Sequence, residues 1–266
     1  MATGPLAGRI AVVTGASSGI GAAVATALAK EGAHVALAAR RIDALENLKS
    51  KILSSSSAGN KVLVHKTDVT DRAQVESLVR AATEQLGGPV DILVSCAGVM
   101  YYTLMKNAQT EEWDRTVDVN CKGLLNCLSS VVPGMLSRAS SSTSGTAPGP
   151  GSSPHIVAIS SDAGRKVFPG LGVYSASKFF VEATLQSLRL ETAGTGLRVT
   201  AVQPGNTDTD LLGMSTDREA VEKYGAPSGA RMLAPDDVAA AIVYALRQPP
   251  HVAVNEILVE PRDEPI

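Results

Sequence analysis

A tyrosine and a lysine four residues apart, in Tyr174-Ser-Ala-Ser-Lys178, are the side chains of this sequence best spaced to move a proton. Residues four apart lie one above the other on a helix face, so the phenol and the ammonium can enter one cleft together. A free phenol is a poor acid, with a reference pKa of about 10. A neighbouring cation favours the phenolate and is expected to pull that value down, toward the range useful to a general acid. Tyr-x-x-x-Lys alone also fits a surface pair. Its company gives it weight: Ser160 and Ser161 end the preceding predicted strand.

A second constellation stands near the N-terminus. Thr14-Gly-Ala-Ser-Ser-Gly-Ile-Gly21 separates the apolar run Ile10-Ala-Val-Val13 from a stretch in which Ile20, Val24 and Leu28 recur every fourth residue. Strand, glycine-rich turn and helix form the context that binds a dinucleotide. Gly15 permits a sharp turn, Gly19 leaves room for a pyrophosphate, and Gly21 lets helix and strand pack closely. Ser17, Ser18 and Ile20 belong to the same turn, where free N–H groups and the positive dipole end suit phosphate. A tight structural turn is the plainer alternative.

The end of the second strand selects the dinucleotide. An acid there would accept hydrogen bonds from the adenosine ribose of NAD. Here the sequence reads Ala38-Ala39-Arg40-Arg41, with two guanidinium groups and no acid. Arginine grips a 2′-phosphate through a charge-assisted fork, so NADP(H) is the expected cofactor. Solvated surface residues are the alternative reading of the pair.

These groups need a scaffold, and apolar β-type runs alternate with helix-period runs nearly from end to end. Strands are predicted at Ile10–Val13, Val35–Ala39, Val62–His65, Ile92–Ser95, Ile156–Ser160, Arg198–Val202 and Glu256–Val259. Helices are predicted from Ile20 to a stop at Gly32, over Asp43–Ser54, and from an Asp71 cap with Gln74 to Leu86. Three more cover Glu111–Met135, Val173–Thr192 and Asp236–Leu246. Strands apolar on both faces, separated by helices, form a parallel sheet between two helical layers. The fold class is therefore α/β, a single-domain doubly wound Rossmann sheet of about seven strands. Residues 139–154 hold only Ala, Ser, Thr, Gly and Pro and read as a flexible insertion, with a modification site or tether as the alternative. Residues 206–233 form a long polar connection after a strand's carboxyl end and read as a substrate loop.

Composition narrows the function. The 266 residues carry 24 Lys+Arg against 26 Asp+Glu, and aromatics are only 3%. That excludes a basic, stacking nucleic-acid surface. A hydrophobic content of 44% supports a packed core. The absence of a run of about 18 apolar residues, and of a secretory signal pattern at the N-terminus, points to a cytoplasmic protein without a membrane partner. Cys96, Cys121 and Cys127 are odd in number and suit a reducing compartment; with no matched histidine base they read as core thiols. Four scattered histidines show no ligand spacing, so no metal is expected.

In order and spacing the chain resembles the classical short-chain dehydrogenase/reductase family over nearly its whole length. Thr14 to Gly21 matches that family's TGxxxGxG turn, and Asp68-Val69 matches its adenine-ring contact. Ser161, Tyr174 and Lys178 match the catalytic serine, tyrosine and lysine, and Asn120 matches the helix-interrupting asparagine. Pro204-Gly205 matches the step beside the nicotinamide, with Thr207 and Thr209 following. One departure is Ser95-Cys96-Ala97-Gly98, where the family has Asn-Asn-Ala-Gly; Ala97 and Gly98, which line the cofactor, are kept, but two strand-tying asparagines are lost.

The resemblance implies hydride transfer between the nicotinamide and a carbonyl or alcohol carbon. Tyr174 would exchange the proton, helped by the positive nicotinamide and Lys178, Ser161 would steady the oxygen, Lys178 would hold the ribose, and Asn120 would anchor a relaying water. The segment Gln248 to Leu258 resembles the NADP-dependent 3-hydroxy acid/serine dehydrogenase and clavulanate-dehydrogenase-like branch, implying a small hydroxy acid, keto acid, ketone or aldehyde. Expected walls are Gly164-Arg165, Val99 to Leu104 and the 206–233 loop, with Arg165 or Arg231 able to meet a carboxylate. Family members imply a homotetramer, or a dimer, through the helices Glu111–Met135 and Val173–Thr192, packed at Ser175, Ala176 and Ala183. Two rivals remain: a non-catalytic NADP-sensing regulator on the same fold, and a methyltransferase holding an adenosyl group on the glycine turn.

Overall fold

Alternation along the strands sets the layers in this computed structural model, which describes residues 4–55, 59–141, 153–225 and 229–264. In β1 (Ile10–Thr14), Ile10 and Val12 pack into one core while Ala11 and Val13 pack into another on the opposite face. A strand covered on both faces must be apolar at every position, because successive side chains point opposite ways. The remaining strands are β2 (His34–Ala39), β3 (Val62–Lys66), β4 (Ile92–Ser95), β5 (His155–Ile159), β6 (Arg198–Pro204) and β7 (Glu256–Val259). All pair in parallel in the order β3-β2-β1-β4-β5-β6-β7, with Val13 level with Leu37 on one side and Val94 on the other.

The helices are α1 (Gly19–Lys30), α2 (Ile42–Ser55), α3 (Arg72–Leu86), α4 (Thr110–Thr116), α5 (Gly123–Ser141), α6 (Gly172–Glu191), α7 (Arg218–Tyr224) and α8 (Pro235–Leu246). α1, α2 and α8 cover one face through Leu28, Leu45 and Ile242; α3, α5 and α6 cover the other through Leu78, Val131 and Leu185. Each such buried side chain contributes about 1.5–3 kcal/mol. Two helix ends follow from single residues. Gly32, at φ +92°, turns the chain after α1, and Asp71 caps α3 by accepting from the Gln74 N–H at 3.2 Å.

The structure departs from the sequence reading in two places. The helix expected over Glu111–Met135 is broken by a π-helical turn at Val117–Lys122, which separates α4 from α5. α5 then continues to Ser141, three residues into the expected insertion. At the other end Ser153 and Pro154 are buried, with the Ser153 carbonyl accepting from Arg9 Nη2 at 2.7 Å. The rest of that insertion, 142–152, lies outside the described residues. Among the described residues no helix is long and apolar enough to cross a membrane.

Candidate active site

The strand order reverses between β1 and β4, and their carboxyl ends open into a cleft of about 650 Å³. Every residue expected to hold the dinucleotide or to react lines it except Asn120. Gly15 adopts φ +67°, and a Cβ there would stand 2.8 Å from the Ala97 nitrogen. A Cβ on Gly21 would collide with the Gly15 carbonyl, so turn and helix meet only through glycine. Ser18 stands at the α1 N-cap without a side-chain cap bond, and the first turn carries no acid. The positive helix end therefore keeps N–H groups to offer an anion.

Arg41 reaches back over this turn. Its Nη2 donates to the Ser17 hydroxyl at 3.0 Å and to the Ser18 hydroxyl at 2.7 Å. Asp68 closes the same end, accepting from the Thr70 N–H at 3.0 Å and the Thr70 hydroxyl at 2.8 Å. Burial raises its pKa, but those bonds and the charges of Arg115 and Arg40 prevail and hold it below the usual aspartate value. Arg115, on α4, also lines the cleft; nothing in the sequence spacing marked it.

The middle of the cleft holds the serine, tyrosine and lysine expected to react. Ser161 follows β5; its hydroxyl donates to Asp162 Oδ1 at 2.7 Å and accepts from the Ala163 N–H at 3.1 Å. Tyr174 lies in the first turn of α6 and Lys178 one turn later, as their spacing requires. Lys178 Nζ sits 5.5 Å from the Tyr174 ring centroid and donates to the Ile159 carbonyl at 2.9 Å. Burial pushes the Lys178 pKa down to about 8, with Cys96, Cys121 and Glu182 opposing. Burial also pushes the Tyr174 phenol up to about 12; a hydrogen bond with Ser161 opposes, while Asp162 and Tyr102 add to the rise. In the protein alone, burial therefore governs the phenol and raises it; the expected acidification counted on the positive nicotinamide as well as on Lys178.

Asn120 stands behind the wall instead of in it. Its side chain closes a reciprocal pair with the Val99 backbone and donates to Ser177 Oγ at 3.0 Å, and Ser177 donates to the Tyr174 carbonyl at 2.6 Å. Thr14 ties β1 to the segment after β4: its hydroxyl accepts from the Cys96 N–H at 3.1 Å and the Ala97 N–H at 3.2 Å. Burial pushes the Cys96 and Cys127 thiols up to about 12, which keeps them from serving as nucleophiles.

The far end is aromatic. Tyr102, Phe168, Leu171, Met214 and Tyr224 line it, so parts of the 99–104 and 206–233 segments face the cleft. The loop is pinned by Asp217, which accepts from the Leu104 N–H at 2.9 Å and caps α7, and by Ser215, whose Oγ accepts from the Tyr102 N–H at 2.7 Å. Gly164-Arg165 is not a wall. Arg165 turns away to Gln203 at 3.0 Å and Glu256 at 3.4 Å, and Arg231 is exposed outside the lining. Phe168 and Asp162 were not anticipated, since they lie in a connection without periodicity.

The short chain dehydrogenase family model matches residues 9–220. The chain belongs to that family. This short-chain dehydrogenase is 74% identical over 263 residues to the glycine betaine reductase of Emericella nidulans. The match covers 99% of this chain but only 19% of that protein, so the chain spans about a fifth of that relative's length. It is 40% identical over 256 residues to an uncharacterized oxidoreductase of Staphylococcus aureus, covering 96% of this chain and 98% of that protein. Among solved structures, the closed form of a serine dehydrogenase complexed with NADP+ overlays with a TM-score of 0.82 at 29% identity, covering 97% of each chain. The alcohol dehydrogenase of Thermococcus sibiricus, complexed with 5-hydroxy-NADP, overlays at 0.81 with 27% identity, covering 97% of this short-chain dehydrogenase and 98% of that chain.

Proposed function

We propose that this oxidoreductase uses NADP(H) to interconvert a carbonyl and an alcohol on a small substrate, with Tyr174 as general acid and base. The observation that carries the reading is the convergence of Ser161, Tyr174 and Lys178 on one cleft with Arg41 and its two serine hydroxyls. The cradle suits a dinucleotide: glycine contacts admit no Cβ, the helix end is uncapped by side chains, and the donors at Arg40, Arg41, Ser17 and Ser18 suit a ribose phosphate. When bound, the dinucleotide supplies or accepts the hydride. Its nicotinamide end would lie against Ala97, Gly98, Pro204 and Gly205, with Thr207 and Thr209 beyond.

In reduction Tyr174 gives its proton to the carbonyl oxygen, and a phenol raised to about 12 holds that proton throughout the neutral range. Ser161 turns its hydroxyl from Asp162 to the same oxygen and stabilises its growing negative charge. Lys178 binds ribose hydroxyls with its remaining N–H groups. Asn120 acts through Ser177 and the Tyr174 backbone to hold the start of α6 in place. Exposed Ala176, Phe179, Phe180 and Ala183 on α6 support a homotetramer; Ser175 is fully buried and belongs to the protomer's own interior. Free thiols at Cys96, Cys121 and Cys127 favour the cytoplasm. The name of the Emericella relative, a glycine betaine reductase, favours a small polar compound as substrate.

The deciding experiment is Tyr174→Phe, followed by NADPH consumption with an aldehyde and by NADPH fluorescence titration. Turnover is expected to disappear while NADPH still binds. A variant that keeps comparable turnover on the same substrate defeats the assignment.

A further inference from the structure

The aromatic residues of this chain are few and unevenly placed. It has three Phe, five Tyr and one Trp, and four of these rings, Tyr102, Phe168, Tyr174 and Tyr224, line the one cleft. Tyr102, Phe168 and Met100 pack against the buried group of Ala163, Leu171 and Tyr174, a cluster separate from the two main cores. Tyr224 joins them over Gly170: the point where a Gly170 Cβ would stand lies 3.0 Å from Tyr224 Cδ2 and 3.4 Å from Tyr102 Cδ1. Asp162 faces the same cluster, and its charge is felt by both Tyr102 and Tyr174.

Charge divides the cleft. Arg40 and Arg115 act on Asp68, and Arg41 binds the glycine turn, so the lining guanidinium groups gather at the dinucleotide end. The aromatic end has Asp162 and Lys178, and that lysine is committed to the Ile159 carbonyl. A carboxylate substrate would find an acid there and no arginine fork. Rings with a nearby acid suit the opposite charge, since π faces attract ammonium groups. Three of the four rings already seat one: within the cleft Lys178 Nζ lies 5.5 Å from the Tyr174 centroid, and from outside it Lys166 Nζ lies 5.0 Å from the Phe168 centroid and Lys223 Nζ 5.2 Å from the Tyr224 centroid. Lys166 and Lys223 are exposed and outside the cleft lining, so a bound cation would meet their rings from within the cleft.

We infer that Tyr102, Phe168 and Tyr224, with the Asp162 carboxylate, form a subsite for a quaternary ammonium head group, so that the substrate is a short cationic aldehyde or ketone. The inference rests on the hydride-transfer reading above for its chemistry, but not for its binding. Tyr174 and Ser161 border the ring cluster, which places a carbonyl one or two carbons from the ammonium within their reach. Of the classes left open by the sequence, aldehydes and ketones are favoured over hydroxy and keto acids.

The test compares three aldehydes with NADPH: trimethylammonioacetaldehyde, its neutral isostere 3,3-dimethylbutanal, and succinic semialdehyde, which carries a carboxylate. The cation is expected to exceed the neutral isostere in kcat/KM by about tenfold, and Phe168→Leu and Tyr102→Leu to narrow that ratio. A ratio between isosteres cancels any general loss of activity or folding. Equal rates with the isosteres, or preference for the carboxylate, overturn the subsite while leaving the reductase intact. Calorimetry with tetramethylammonium judges the subsite without turnover: binding weakened by Phe168→Leu supports it, and no binding at high millimolar concentration overturns it. Oxidation of NADPH by none of the aldehydes, beside such binding, overturns the proposed chemistry and keeps the subsite.

Discussion

Asn120 and Val99 are joined by a closed pair of hydrogen bonds: the Val99 N–H donates to Asn120 Oδ1 at 2.9 Å, and Asn120 Nδ2 donates to the Val99 carbonyl at 2.9 Å. The pair ties the π-helical turn to the segment after β4, and it is buried, with Asn120 4% exposed. Asn120→Leu leaves both Val99 backbone groups without this partner. The expected cost is about 2–4 kcal/mol, since buried groups stripped of partners lose most of their solvation. Urea unfolding should show a lower midpoint at unchanged slope. An unmoved midpoint would mean that the pair gives no net stability.

Arg41 is the second place where one substitution separates two readings. Its bonds to Ser17 and Ser18 hold the guanidinium at the glycine turn, where the proposed NADP(H) reading places the ribose phosphate. Arg41→Ala is expected to raise KM for NADPH by about 10- to 100-fold, the worth of one charge-assisted contact, with little change for NADH. Steady-state kinetics with both nucleotides decide it. Equal losses for the two would assign Arg41 to the turn's own architecture.

The legible parts of this chain were those written in local pattern. Ile20, Val24 and Leu28 announced α1, and Tyr174 and Lys178 announced one face of α6, because helical spacing is a property of neighbours. The π turn at Val117–Lys122 was harder: it is held by Asn120 bonding to Val99, a contact across 21 residues. Only the family resemblance marked that asparagine. Asp162 and Phe168 escaped because nothing repeats around them. The burial of Tyr174, which raises its phenol in the protein alone, was not legible for a different reason, since sequence does not display burial. Arg165 was mistaken for a wall because its Gln203 and Glu256 partners lie on other strands.

The thiols offer a check on burial. Cys96 and Cys127 are held at about 12 by desolvation, and Cys121 is raised by the same cause. A thiol reacts as its thiolate, so at about pH 8 the native protein should react with Ellman's reagent far more slowly than a free cysteine. In guanidinium chloride the chain's three cysteines should all titrate promptly. Cys96 is half-buried and lines the cleft, so a fast native reaction mapped to it by mass spectrometry would show that its thiol is not desolvated.

Lys178 makes activity and stability run in opposite directions with pH. Its folded pKa is lowered from 10.5 to about 8 by burial, whereas Tyr174 keeps its proton to about 12. The proposed reduction uses the protonated phenol and the charged lysine, so kcat/KM for NADPH, which reports the ligand-free protein, is expected to be flat below about pH 8 and to fall above it. For stability, the unfolded chain binds the extra proton between about 8 and 10.5, so folding becomes more favourable as pH rises through that window. The raised phenol acts in the other sense, but only above its ordinary value of 10. Lys178→Met should therefore lose most activity, flatten the rise in urea midpoint with pH, and unfold no more readily than the parent near neutrality. A parent reduction rate that is still climbing between about pH 8 and 10 would remove Lys178 from the role given to it.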